Sequence, residues 1–128
     1  LQNLNKMKVT AKKNQQVANM IFASIYPHYL NRLEKNGRTK QELHQVIEWL
    51  TGFNEKKLQS LIEEKATFRT FFERAKFHPN AHLIKGVVCG YRIEEIEDEF
   101  EIYKQCRQME KLIDELAKGR QMEKILRS

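Results

Sequence analysis

The chain has 128 residues, of which 41% are hydrophobic and 31% are charged, and its formal net charge at pH 7 is +6. This balance excludes a disordered chain, and no apolar run approaches the ~18 residues of a membrane-spanning helix. The length suits a single domain with one core. The two cysteines, Cys89 and Cys106, form no C-x-x-C pair, which favours reduced thiols and a cytoplasmic location.

The excess positive charge lies in the first forty residues, which hold eight lysines and arginines against Glu34 alone. Residues 1–13 have no regular hydrophobic spacing, so we predict a flexible basic arm there and a single helical domain over residues 14–128. Basic segments can neutralise phosphates, which makes nucleic-acid binding one hypothesis. Its candidate face consists of Arg32, Lys35, Arg38 and Lys40. No stretch matches a helix-turn-helix, however.

The first helical pattern begins at Asn14 and continues through apolar residues at helical spacing. Pro27 lacks an amide hydrogen and restricts the residue before it, so we expect Pro27 to begin a helix or to kink one. Asn36-Gly37 then supplies a residue able to adopt left-handed backbone angles, which predicts the end of that helix.

Polar residues mark the starts of the next three helices. Thr39 and Glu42 have the spacing of a capping box, in which each side chain binds an unpaired amide of the first turn. Asn54 and Thr67 are predicted N-caps of the two helices that follow, and Gly52 separates the first helix from the second. In the helix that begins after Thr67, the predicted core side chains are three aromatic residues at helical spacing: Phe68, Phe71 and Phe72.

The stretch of residues 83–98, LIKGVVCGYRIEEIED, breaks this helical pattern. It contains a run of β-branched residues and two glycines, which indicates a short extended segment near residues 83–92 with a bend at Gly90. A helical period resumes at Glu94 and continues for about twenty-five residues to Gly119. We therefore predict a mainly α, compact single domain of five to six helices, with this extended segment before a long C-terminal helix.

The same stretch holds the candidate site, a mixed-charge cluster of Lys85, Cys89, Arg92, Glu94 and Glu95. Cys89 would be a nucleophile if nearby charges lowered its pKa, but no nucleophile motif surrounds it, and we favour a small buried thiol. The charged residues would have a catalytic role only in a cleft; we favour an ion-paired bend. The glycines lack the order of a phosphate-binding loop.

The four histidines give no metal signature. His78 and His82 stand four residues apart, but Pro79 between them argues against the helix that would align them. We interpret His28 and His44 as lone surface or structural residues. The sequence thus predicts no metal site and no cofactor.

Five strings agree in order and spacing with a known family: FASIYPHY (22–29), GRTKQE (37–42), WLTGF (49–53), LIKGVVCGYRIEEIED (83–98) and LIDELAKGRQMEKILR (112–127). Over residues 20–127 the chain resembles a family of small bacterial proteins catalogued only as a domain of unknown function. The resemblance implies a bacterial, cytoplasmic, stand-alone protein and brings no substrate or catalytic residue. One departure is Glu99-Phe100-Glu101, where the family pattern has Pro-Leu-Met; it would let the final helix begin earlier.

Three functional hypotheses follow. The first is a non-enzymatic binding or interaction module, with a homo-oligomer or a protein partner bound through the apolar C-terminal turn of Met122, Ile125 and Leu126. The second is a small enzyme that uses Lys85, Cys89, Arg92 and Glu94. The third is nucleic-acid binding through the basic first third, and no membrane partner is expected.

Overall fold

The computed structural model describes residues 8–127 and confirms a mainly α domain. Over that range it has seven α-helices and one two-stranded hairpin. They are α1 (Ala11–Ala18), α2 (Phe22–Lys35), α3 (Lys40–Thr51), α4 (Glu55–Glu63), α5 (Phe68–Arg74), β1 (Val87–Val88), β2 (Tyr91–Arg92), α6 (Glu101–Ala117) and α7 (Met122–Ile125). None of the helices in this range is long and apolar enough to cross a membrane.

The N-terminal pattern forms two helices, α1 and α2, with a break between Ala18 and Phe22. Helix α1 begins after Thr10, whose hydroxyl accepts a hydrogen bond from the Lys13 amide, so regular structure starts inside the predicted arm. Residues 1–7 lie outside the described range. The break follows from two backbone hydrogen bonds to the α4–α5 connection, Phe22 N–H to Ala66 O and Phe68 N–H to Met20 O. Pro27 consequently lies within α2 and does not begin it.

The predicted caps of α3, α4 and α5 are confirmed. Thr39 and Glu42 form the reciprocal capping box of α3, while Asn54 and Thr67 accept amide hydrogen bonds at the starts of α4 and α5. Gly52 has a φ of 75°, the left-handed conformation that lets the chain turn directly from α3 into α4. This turn places the start of α4 beside the face of α3.

Helix α6 is the centre of the domain and contacts α1, α2, α3, α5, α7 and the hairpin. Its fully buried side chains include Met109, Leu112 and Leu116, which join the aromatic residues of α5 in one core. Phe22 stacks on Phe71 with ring centroids 4.3 Å apart, so α2 and α5 meet through aromatic packing.

The acidic segment before α6 differs from the prediction. A helix was expected from Glu94, but Ile93–Glu95 and Asp98–Phe100 are separate 3₁₀ turns, and α6 begins only at Glu101. Ile93 belongs to the main core, whereas Ile96 packs in a second cluster with Tyr91 and Tyr103. Burying these two isoleucines in different clusters requires the extended backbone found at Ile96 and Glu97.

Candidate functional site

The predicted extended segment is a tight antiparallel hairpin. Val87 pairs with Arg92 and Val88 pairs with Tyr91, so Cys89 and Gly90 are the two connecting residues. Both have positive φ, 52° for Cys89 and 83° for Gly90, as a two-residue turn of the primed type requires. Residues other than glycine rarely adopt this conformation, and here it places Cys89 at the tip of the hairpin.

The thiol of Cys89 faces a carboxylate and is exposed, so the expectation of a buried Cys89 is wrong. Cys106 on α6 is the buried cysteine. The Cys89 thiol donates a weak hydrogen bond to Glu110 Oε1 over 3.9 Å. Partial desolvation and the Glu110 carboxylate raise the pKa of Cys89 above its ordinary value, which favours the thiol over the nucleophilic thiolate.

The charged members of the predicted cluster form an exposed ion-paired bend. The Arg92 guanidinium lies 4.0 Å from a Glu94 oxygen and 3.8 Å from a Glu95 oxygen. The Gly86 N–H donates to Glu94 Oε1 over 2.9 Å, and this bond is the main cause that lowers the pKa of Glu94. Lys85 is exposed. The structure therefore brings three of the five predicted residues together, while Cys89 faces α6.

A pocket of about 420 Å³ lies beside this bend, over the first turns of α6. Its apolar wall consists of Phe77, Ile84 and Ile93. Its charged rim has three carboxylates and one lysine: Glu94, Asp98, Glu101 and Lys104. Lys104 Nζ lies 3.1 Å from Asp98 Oδ1, and Arg92 pairs with Glu94 from outside the pocket, which leaves Glu101 as the rim carboxylate in excess among the described residues. Glu94 is the one member of the predicted cluster that lines this pocket.

A polar network, which we call the Arg107 ladder, connects α1, the hairpin, α6 and α2. It consists of Lys13, Tyr91, Tyr103, Arg107, Glu110 and Tyr29. The Arg107 guanidinium forms an ion pair with Glu110, donates to the Tyr103 hydroxyl over 2.9 Å and lies over the Tyr91 and Tyr103 rings. At the two ends, the Tyr29 hydroxyl donates to Glu110 and the Lys13 ammonium donates to the Tyr91 hydroxyl, each over 2.9 Å.

The candidate nucleic-acid face is partly occupied by internal contacts. Arg32 lies 2.6 Å from Asp114 on α6. Arg38 pairs with Glu42 at 2.8 Å and donates to the Arg120 carbonyl over 2.9 Å. Lys35 and Lys40 are exposed. Nucleic-acid binding through these four residues stays a prediction.

The apolar C-terminal turn packs on its own domain. Ile125 is fully buried in the main core, and Met122 and Leu126 pack against that core. Arg127 holds the end of the turn through two hydrogen bonds to the Glu115 carboxylate. A partner that binds this turn stays a prediction.

The sequence reading missed a second polar cluster, which we call the His44 cluster: Tyr26, His44, Glu48 and Glu55. His44 is buried, with 5% of the residue exposed, and it is not a surface residue. Its Nδ1 donates to Glu55 Oε2 over 2.7 Å, and its Nε2 lies 2.5 Å from the Tyr26 hydroxyl. Desolvation and then the neighbouring Glu55 raise the pKa of Glu48, whereas the hydrogen bond from His44 lowers the pKa of Glu55. The four-residue spacing of His44 and Glu48 on a predicted helix was the available signal.

Comparison with known proteins confirms the resemblance read from the sequence. The family model described as an uncharacterized protein conserved in bacteria, DUF2200, matches residues 16–127. The chain belongs to this family. A solved structure described as the crystal structure of uncharacterized protein SP1917 is similar to it, with 34% sequence identity and a TM-score of 0.80. The match covers 88% of this chain and 91% of that one. No curated protein matches the sequence.

The DUF2200 match spans both the pocket beside the hairpin and the His44 cluster. It begins after Lys13, so the first member of the Arg107 ladder lies outside it. The descriptions of the family and of the similar structure give no activity.

Proposed function

We propose that this DUF2200 protein is a non-enzymatic binding module, and that the pocket beside the hairpin takes a small organic cation with an apolar body, such as a primary alkylamine. The observation that carries the proposal is the pocket's composition, an apolar wall of Phe77, Ile84 and Ile93 beneath a rim with three carboxylates and one lysine. A volume of about 420 Å³ is within the range of small-molecule sites.

The charge of this rim contrasts with the rest of the protein. The chain carries a net charge of +6, yet the lining of the pocket has three carboxylates against one lysine. Glu101 is exposed, and the hydrogen bond that it accepts from Gln105 is long, at 3.4 Å. A ligand ammonium can therefore reach a Glu101 oxygen without breaking a strong internal bond, while the alkyl part covers the apolar wall.

Binding is favoured over catalysis by the position of the reactive groups. Neither Cys89 nor Lys85 is among the pocket's lining residues, and the raised pKa of Cys89 keeps its thiol protonated. The alternative enzyme would need one of these groups at the bound ligand. Both cysteines are free, which agrees with the cytoplasmic location that we propose.

Calorimetric titration with a C4–C6 series of alkylamines, and with the matching alkyl carboxylates and alcohols, tests the proposal. We expect the amines to bind best and Glu101→Gln to weaken them by about fivefold, the loss of one partly exposed charge pair. Glu99→Gln is the matched control because Glu99 is exposed on the same segment but does not line the pocket. Equal binding of amines and carboxylates, or an unchanged affinity in Glu101→Gln, would overturn it.

A further inference from the structure

The His44 cluster brings three potential metal ligands into one pocket. The nearest ligand atoms of His44, Glu48 and Glu55 all lie within 4.8 Å of one another. The pocket that they line has a volume of about 390 Å³ and opens between the outer face of α3 and the start of α4. One imidazole nitrogen and two carboxylates are ligands that divalent first-row transition metals accept.

The local fold explains why these residues converge. His44 and Glu48 are one helical turn apart on α3 and therefore share a face. Gly52, in the left-handed conformation, reverses the chain, and the Asn54 cap starts α4 so that Glu55 is its first residue. Glu55 thus lies over the face of α3 that carries the other two side chains.

The His44 imidazole is oriented by a contact with Tyr26. The Tyr26 hydroxyl lies 2.5 Å from Nε2 and fixes the ring plane, which leaves Nδ1 directed at the carboxylates. Metal-binding histidines commonly have such a partner on the nitrogen that does not bind the metal.

The charge of the cluster is unbalanced. The nearest carboxylate oxygens of Glu48 and Glu55 lie within 4.8 Å of each other. The cation on the same pocket wall, Lys40, is exposed, and an attraction from it reaches Glu55. Two adjacent carboxylates beside an imidazole lose their mutual repulsion when a divalent cation binds between them.

We propose that this pocket is a divalent transition-metal site in which His44 Nδ1 and one oxygen each of Glu48 and Glu55 bind the ion. Without metal, the neutral His44 ring carries its proton on Nδ1, and this proton must leave when the ion binds there. Nε2 then takes up a proton and donates it in a hydrogen bond to the Tyr26 oxygen, so the imidazole stays neutral. Zn²⁺, Mn²⁺ and Fe²⁺ suit this ligand set better than Ca²⁺, which prefers a larger number of oxygens. Three protein ligands leave at least one position for water or a small anion. The site does not depend on the alkylamine proposal.

Calorimetric titration of the untagged, EDTA-treated protein with ZnCl₂ and with MnCl₂ measures the site. We expect one ion per chain, and an affinity at least tenfold weaker in Glu48→Gln and in Glu55→Gln. Glu63→Gln, at an exposed position farther along α4, is the matched control and should bind as the unchanged protein does. Cys89→Ser excludes binding through the exposed thiol and should also leave the affinity unchanged.

Nitrogen NMR of the His44 ring gives a second measurement, which does not depend on the affinity. Zinc should change the Nδ1 shift to that of a metal-bound nitrogen and change the Nε2 shift to that of a protonated nitrogen that donates to Tyr26. Failure to bind zinc at millimolar concentration, unchanged affinity in Glu48→Gln, or loss of binding in Cys89→Ser alone would overturn the proposal.

Discussion

The Arg107 ladder and the His44 cluster are both built from charged side chains, tyrosines and helix faces, but their charges are arranged differently. In the ladder the buried charge of Arg107 pairs with Glu110 and lies over two tyrosine rings. In the His44 cluster two carboxylates share one imidazole. The difference lies in charge matching: removing one partner of the matched ladder pair strands the other charge, whereas removing one of two adjacent carboxylates relieves repulsion.

The largest expected effect comes from removing the matched cation of the ladder. Arg107→Met leaves Glu110 without its ion pair in a setting where both side chains are less than one-fifth exposed. Breaking such a pair costs about 3 kcal/mol, because the remaining carboxylate stays partly desolvated. Urea unfolding at pH 7 should show this loss.

Arg92→Met is the control for that experiment, since Arg92 is 50% exposed in its ion-paired bend and its pairs are long. It should cost less than about 0.5 kcal/mol. Equal losses in the two variants would show that the ladder is no more than a set of surface contacts.

The second effect depends on pH and concerns Asp114, which joins α6 to Arg32 and Lys118. Burial alone would raise its pKa, but the hydrogen bonds from Arg32 and Lys118 lower it below the ordinary value. The carboxylate therefore stabilises the fold above the unfolded pKa of about 3.9, and this stability is lost as pH falls through the lower folded pKa.

Asp114→Asn should consequently cost about 1 kcal/mol at pH 7, and its unfolding free energy should converge with that of the unchanged protein as pH falls through the lowered folded pKa of Asp114. Denaturant unfolding between pH 2 and 7 measures both curves. A constant difference across that range would mean that packing, and not charge, accounts for the loss. Asp98→Asn, whose side chain is 98% exposed, should have no measurable effect at pH 7.

The smallest effect has the opposite sign and belongs to the His44 cluster. Glu48→Gln removes one of two adjacent carboxylates, so without metal it should stabilise the protein, on the order of 0.5 kcal/mol. Urea unfolding in EDTA at pH 7 measures the change, with Glu63→Gln again as the control. Destabilisation by Glu48→Gln would show that the cluster is internally matched, like the ladder.

Local sequence signals were enough for the helices whose ends depend on neighbouring residues. Thr39 with Glu42, Asn54 and Thr67 formed the predicted caps because a cap needs only the amides of its own first turn. The α1–α2 break was missed because it depends on hydrogen bonds to Ala66 and Phe68, about forty-five residues away in the chain.

Site residues were harder to predict for the same reason. The sequence drew attention to Cys89 through its glycine neighbours, but its partner Glu110 is twenty-one residues away on α6. His44 was read as lone although Glu48 lies on the same helical face. The cluster also depends on Tyr26 and Glu55. The packing of α2 on α3 brings Tyr26 to the His44 ring, and the turn at Gly52 brings Glu55 there.

The most direct test of the charge comparison is the unfolding free energy of the unchanged protein and of Glu48→Gln, each in EDTA and in ZnCl₂. At a zinc concentration tenfold above its dissociation constant, the unfolding free energy of the unchanged protein should rise by about 1.4 kcal/mol. That of a variant that binds zinc tenfold more weakly should rise by about 0.4 kcal/mol. The account predicts that Glu48→Gln is the more stable protein in EDTA and the less stable one in zinc. The same order of stability in both buffers would contradict it.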